Sequence, residues 1–102
     1  MRIISFAFIL VGLIFSNVIY AGDPATGEKK SATCAACHGA NGNSSNPLWP
    51  KLAGQHAAYL EKQMKDFRDG RRQDPVMAPM AAALSDTDIA DLAAYYAGQQ
   101  QK

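Results

Sequence analysis

Two cysteines stand three residues apart, at Cys34 and Cys37, and His38 follows the second at once. They are the only cysteines in a chain of 102 residues. On a helical turn, positions i and i+3 share a face, so both sulfurs can reach one edge of a flat ring. The imidazole one residue on swings towards the centre of that ring. This is the spacing at which c-type haem is attached: the thiols of Cys34 and Cys37 add to the two vinyl groups, and His38 is the proximal iron ligand. One such pair implies one haem per chain. A chain committed to this cofactor must fold around a rigid apolar disc.

Other uses of the pair fit less well. A redox dithiol calls for a βαβ setting, and no strand-like alternation surrounds these residues. A zinc site needs further Cys or His ligands at ordered spacing, and the second histidine, His56, stands alone. A disulfide between residues three apart would be strained and would close almost no loop.

The N-terminal stretch reads as an export signal. Met1-Arg2 is a short positive start, residues 3–15 are almost unbroken apolar sequence, and Ala21-Gly22 offers a small-residue cleavage point. The expected division is a signal peptide over 1–21 and a single small haem-binding domain over 22–102, placed in the periplasm. Ser16 and Asn17 interrupt the apolar run, which makes it marginal for the ~20 residues of an uncleaved span, so no stable membrane insertion is expected after cleavage. Without Arg2, basic and acidic residues balance, which gives no general case for nucleic acid. A domain this small buries little apolar surface and usually needs a staple, which haem would supply.

Periodicity points to an all-α fold of three to four helices wrapped around one haem. Asp23 is an expected N-cap with Pro24 at the first helical position, opening a helix to about Cys37. Residues 39–54 are rich in Gly, Asn, Ser and Pro and read as a long loop. A second helix is expected over 55–69, with Leu60, Met64 and Phe67 on one stripe and Gly70 as its stop. Residues 70–79 read as loop, broken by Pro75 and Pro79. In the last helix Ser85 and Asp88 form an acidic capping box, Leu84 and Ile89 a hydrophobic staple, and Ile89, Leu92, Ala93 and Tyr96 a stripe flanked by Tyr95.

An electron carrier is best served by a filled sixth iron position, and a thioether there favours ferrous iron. Met64 lies on the second helix's apolar stripe and reads as core. Met77 and Met80 lie near the proline-broken loop, and spacing alone does not choose between them. His56 is weak evidence for a ligand and reads as an exposed residue.

The run Cys34-Ala35-Ala36-Cys37-His38-Gly39 is joined by Asn41-Gly42, Pro50-Lys51-Leu52-Ala53-Gly54-Gln55 and Tyr59-Leu60. Met77-Ala78-Pro79 and Leu84-Ser85-Asp86, with Asp88-Ile89, Leu92-Ala93 and Tyr95, complete the pattern. In these residues the sequence resembles a class I cytochrome c of the short bacterial c553 type, and one half of the two-haem carriers built from tandem domains. The resemblance implies Met77 as the distal iron ligand, with Met80 as the fallback. It also implies that the Pro50 carbonyl accepts a hydrogen bond from the ring N–H of His38, and that Gly27 lies where the first and last helices cross, opposite Leu92 and Tyr95.

The expected function is therefore a soluble, monomeric periplasmic electron carrier rather than an enzyme. Its donor would be a quinol-oxidising complex or dehydrogenase, and its acceptor a terminal oxidase or reductase. The rivals are a peroxidase-like enzyme or sensor with an exchangeable sixth ligand, and an electron-entry subunit of a larger dehydrogenase. Lys62, Lys65, Arg68, Arg71 and Arg72 form either a docking face for an acidic partner or a solvated helix face with interleaved acids. Trp49 is expected against the haem or on a propionate.

Overall fold

The structure, a computed structural model, describes residues 3–13 and 21–102. Residues 3–13 are exposed and without secondary structure, while 1–2 and 14–20, on which much of the export-signal reading falls, lie outside the described residues. The described chain forms α1 (Pro24–Lys30), α2 (Ala32–His38), a 3₁₀ turn (Ala40–Gly42), α3 (Ala57–Arg68), α4 (Met77–Ala82) and α5 (Asp86–Ala97). Among the described residues there is no strand, as the sequence periodicity predicts, and no helix long and apolar enough to cross a membrane.

Among the described residues five α-helices appear where three or four were expected, for two local reasons. At Ser31 (φ −82°, ψ −3°) the hydroxyl and the N–H both donate to the carbonyl of Glu28, at 2.7 and 3.2 Å. A serine can offer the backbone this alternative to a helical bond, and the expected single helix is split there into α1 and α2. The segment 70–79 is not all loop either. It already enters α4 at Met77, and Pro79 sits at the third helical position, where an N–H would have no intrahelical partner to lose.

The last helix follows its sequence closely. Ser85 Oγ accepts from the N–H of Asp88 and Asp88 Oδ2 accepts from the N–H of Ser85, both at 3.0 Å. Behind this cap, Ile89, Leu92, Ala93, Tyr95 and Tyr96 are all buried. α3 lays Leu60 and Phe67 inwards, and Met64 is partly buried against the cluster of Leu60, Leu92, Ala93, Tyr95 and Tyr96. Cys34 and Leu52 pack on the same cluster, so the core reaches directly to the cysteine pair.

α1 crosses α5 at very short range. A Cβ built on buried Gly27 would lie 2.0 Å from the carbonyl oxygen of Asp91 and 2.9 Å from Cβ of Tyr95. Here the resemblance named Tyr95 correctly, but the nearest opposing atom is backbone of Asp91 rather than Leu92. Charge fastens the crossing. Asp91, 6% exposed, accepts from the N–H of Asp23 at 2.8 Å and from Lys30 Nζ at 2.9 Å, and Lys30 Nζ also reaches Asp88 Oδ1 at 2.7 Å.

These contacts set an acid limit. Lys30, and after it the N–H of Ser85, pull the Asp88 carboxyl down to about 2 from an ordinary 3.8. Asp91 is lowered first by the N–H of Asp23 and then by Lys30. Both carboxyls have depressed folded values, so their contribution is complete above 3.8 and is lost as pH falls towards 2. Lys30→Met should therefore be less stable than wild type by a constant amount between pH 3.8 and the ordinary lysine value of 10.5, with the gap closing between pH 3.8 and 2 in parallel denaturant titrations.

Candidate haem site

α2 presents Cys34 and Cys37 on one helix, both free thiols and both partly buried, and ends at His38, which is 7% exposed. Gly39 ends the helix at φ +79°, its N–H donating to Ala35 at 3.0 Å. A side chain there would meet Asn43 O at 2.5 Å, so the chain leaves the helix by a turn that only glycine makes without strain. His38 Nδ1 lies 2.8 Å from the carbonyl oxygen of Pro50. A carbonyl can only accept, so the ring holds its proton on Nδ1, and Nε2 keeps a free lone pair.

The loop that carries Pro50 is anchored by the last helix. The Tyr95 hydroxyl donates to Asn41 Oδ1 at 3.0 Å, and Tyr96 stands beside it with ring centroids 4.9 Å apart. Asn41 (φ 57°) and Gly42 (φ 75°) both take left-handed backbone. A Cβ on Gly42 would lie 2.7 Å from Cδ1 of Tyr96 and 2.8 Å from the N of Ala53. The Gly42 carbonyl accepts from Leu52 and Ala53 at 2.8 and 3.1 Å, and the Tyr96 carbonyl accepts from Gly54 at 3.0 Å. Residues 39–54 are thus a pinned loop. The roles of Asn41 and of the tyrosine pair in it had no signature in the sequence beyond the helical stripe.

Met77 is the first residue of α4 and is partly buried, and its N–H donates to Asp74 Oδ1 at 2.8 Å. Met80, one turn on, is 41% exposed. His56 is exposed ahead of α3 and makes no side-chain cap. Trp49 is 40% exposed. Much of the basic run is spent on local partners. Lys62 and Arg71 both bind Asp66, Arg68 binds Asp69 and Asp86, and Arg72 lies 4.5 Å over the Phe67 ring. That is the interleaved face rather than a free cationic patch.

The Cys-x-x-Cys-His turn fits a covalent haem. It offers two thiols and an imidazole nitrogen, the groups that haem vinyls and haem iron take. Among the described residues the buried Tyr96 hydroxyl has no hydrogen-bond partner, with Cys34 and Ser31 beside it. Burial, and then the neighbouring Cys34, push this phenol well above its ordinary range. A buried donor left open next to an attachment cysteine suits a site that gains atoms when its cofactor is bound. Among the described residues no cluster of three or more His, Cys, Asp or Glu could hold a bare metal ion.

An all-helical domain whose Cys-x-x-Cys-His turn is backed by the last helix defines a small haem-c domain. The family model described as Cytochrome c matches residues 24–98. Cytochrome c-554(548) of Halomonas halodenitrificans is 53% identical over 83 residues, 78% of this chain and 100% of that protein. Cytochrome c4 of Pseudomonas aeruginosa is 55% identical over 80 residues, 78% of this chain but 40% of that protein. The crystal structure of reduced recombinant cytochrome c4 from Pseudomonas stutzeri matches with a TM-score of 0.77 at 43% identity, covering 80% of this chain and 48% of that one. The chain belongs to the cytochrome c family. It is an electron carrier rather than an enzyme, its cofactor is covalently bound haem c, and its partners are redox proteins. It spans less than half the length of these cytochrome c4 relatives.

Gly42 gives the site its sharpest structural test. Gly42→Ala combines a left-handed φ with a collision against Tyr96 and should cost about 2 kcal/mol or more. Gly70→Ala, at φ +80° with nothing within 4 Å of its Cβ, should cost only about 1 kcal/mol. Guanidinium unfolding of the two ferric holoproteins would separate them, and equal losses would show that Tyr96 does not press on the loop.

Proposed function

We propose that the chain is a periplasmic carrier of single electrons with one haem c, exported by residues 1–21 and folded over 22–102. Cys34 and Cys37 hold the haem as thioethers, His38 is the proximal iron ligand, Met77 the distal one, and Pro50 orients the histidine. When bound, the haem supplies a one-electron ferric–ferrous couple. The protein's own part is to fix two ligands, exclude water from the iron and keep one edge within reach of partners. The partners we propose are a quinol-oxidising complex or dehydrogenase as donor and a terminal oxidase or reductase as acceptor, met by a monomer.

The observation that carries this reading is the 2.8 Å contact between His38 Nδ1 and Pro50 O. It commits one ring nitrogen of a buried histidine to a carbonyl and leaves the other for iron, next to the two thiols. Such a hydrogen bond holds the ring's orientation and makes it a stronger donor. For the sixth position, the partial burial of Met77 and the exposure of Met80 favour Met77. With His38 and Met77 both held in place, the bound haem would exchange an electron without a change of protein ligand, as fast electron exchange requires.

The ferric spectrum distinguishes the two methionines. Met77→Ala should abolish the weak long-wavelength band of sulfur-ligated ferric haem, lower the midpoint potential and let cyanide bind at once. Met80→Ala should keep the band and a potential close to wild type. The reverse pattern would move the ligand to Met80, and a wild-type protein without the band would remove thioether ligation altogether.

A further inference from the structure

Asp74 takes no part in the Cys-x-x-Cys-His turn, yet it holds the backbone on which Met77 stands. Its Oδ1 accepts from the N–H of Val76 at 2.9 Å and from the N–H of Met77 at 2.8 Å. Its carbonyl accepts from the N–H of Ala78 at 3.0 Å. The first residue of a helix has no intrahelical partner for its N–H, so the Asp74 carboxylate is what satisfies Met77. α4 can do little to hold itself. It is six residues long, and Val76 before it makes no side-chain cap. A helix this short does not persist on its own bonding. At its far end fully buried Ala81 anchors it, but at its near end Val76 is 53% exposed and Pro75 is exposed. Upstream, the chain turns through Gly70 at φ +80°, with open space around it. Apart from the side chain of Met77 itself, the start of α4 is thus held by the Asp74 carboxylate and by the backbone bond from Ala78 to the Asp74 carbonyl.

We infer that Asp74 is the positioning residue for the distal ligand: by holding two consecutive N–H groups at the start of α4, it fixes where the sulfur of Met77 stands. The inference rests on the reading of Met77 as that ligand. Losing the carboxylate frees the first turn of α4 and raises the fraction of time that the sulfur is away from the iron. Hydrogen bonds to an ionised acceptor are about twice as strong as neutral ones, which makes the loss measurable.

Cyanide binding to the ferric holoprotein reads this directly, because cyanide enters only while the methionine is off. Asp74→Ala should raise the apparent cyanide affinity by about tenfold and weaken the long-wavelength band. Asp74→Asn, which keeps the amide oxygen as acceptor, should restore most of both. A variant that only loosened the fold would lower the unfolding midpoint without favouring cyanide. An affinity for Asp74→Ala within about twofold of wild type, with the band intact, would overturn the inference. If Asp74→Ala does not give folded holoprotein, Asp74→Asn against Asp74→Gln decides: the longer side chain should bind cyanide more tightly, and equal affinities would overturn it. Met77→Ala run beside them tests the underlying reading separately, since retention of the band there would mean that Met77 is not the ligand.

Discussion

Where α1 crosses α5 there is no space for a methyl group: a Cβ on Gly27 would stand 2.0 Å from the carbonyl oxygen of Asp91. Much else in the domain follows from this approach. α2 continues from α1 after the break at Ser31, so the crossing decides where Cys34, Cys37 and His38 stand relative to the last helix. It places Cys34 on the Tyr95–Tyr96 cluster. Tyr95 then fastens Asn41 and Tyr96 presses on Gly42, whose carbonyl takes the N–H groups of Leu52 and Ala53. With the loop caught at both ends, Pro50 is delivered to His38. A backbone contact between the two ends of the domain is thereby converted, through two tyrosines and a loop, into the orientation of one imidazole.

The two faces of the site are built differently. The proximal face belongs to this tied network, with a buried histidine and a carbonyl partner. On the ligation proposed for Met77, the distal face would rest on a six-residue helix with an exposed entry and one capping carboxylate. A small domain gains much of its stability from a bound cofactor, since binding to the folded state alone shifts the folding equilibrium. The unpartnered Tyr96 hydroxyl beside Cys34 marks the same dependence from inside the core.

The sequence was most legible where local chemistry decides. Ser85 with Asp88, and Asp23 with Pro24, cap helices as their side chains dictate, and the stripe of α5 is buried throughout. Two features were hidden. The break at Ser31 depends on a hydroxyl choosing the Glu28 carbonyl, which helix periodicity does not register. The start of α4, residues 77–79, falls in the segment 70–79 that Pro75 and Pro79 mark as loop, although Asp74-Pro75 repeats the Asp23-Pro24 pair that opens α1. The cysteine pair and His38 were legible from spacing. The Pro50 contact needed the resemblance, because no local rule brings residues 38 and 50 together. The links from Tyr95 and Tyr96 to the loop are long-range packing, which the pattern of a single helix cannot show.

The central claim is a haem iron closed by two fixed protein ligands and used only for electron exchange. A spectroelectrochemical titration of the mature holoprotein tests it most directly. The account predicts one reversible one-electron wave, low-spin spectra in both oxidation states, and no change of ligation between them. A high-spin ferric spectrum, or a wave that shifts as the iron gains or loses a ligand, would contradict it.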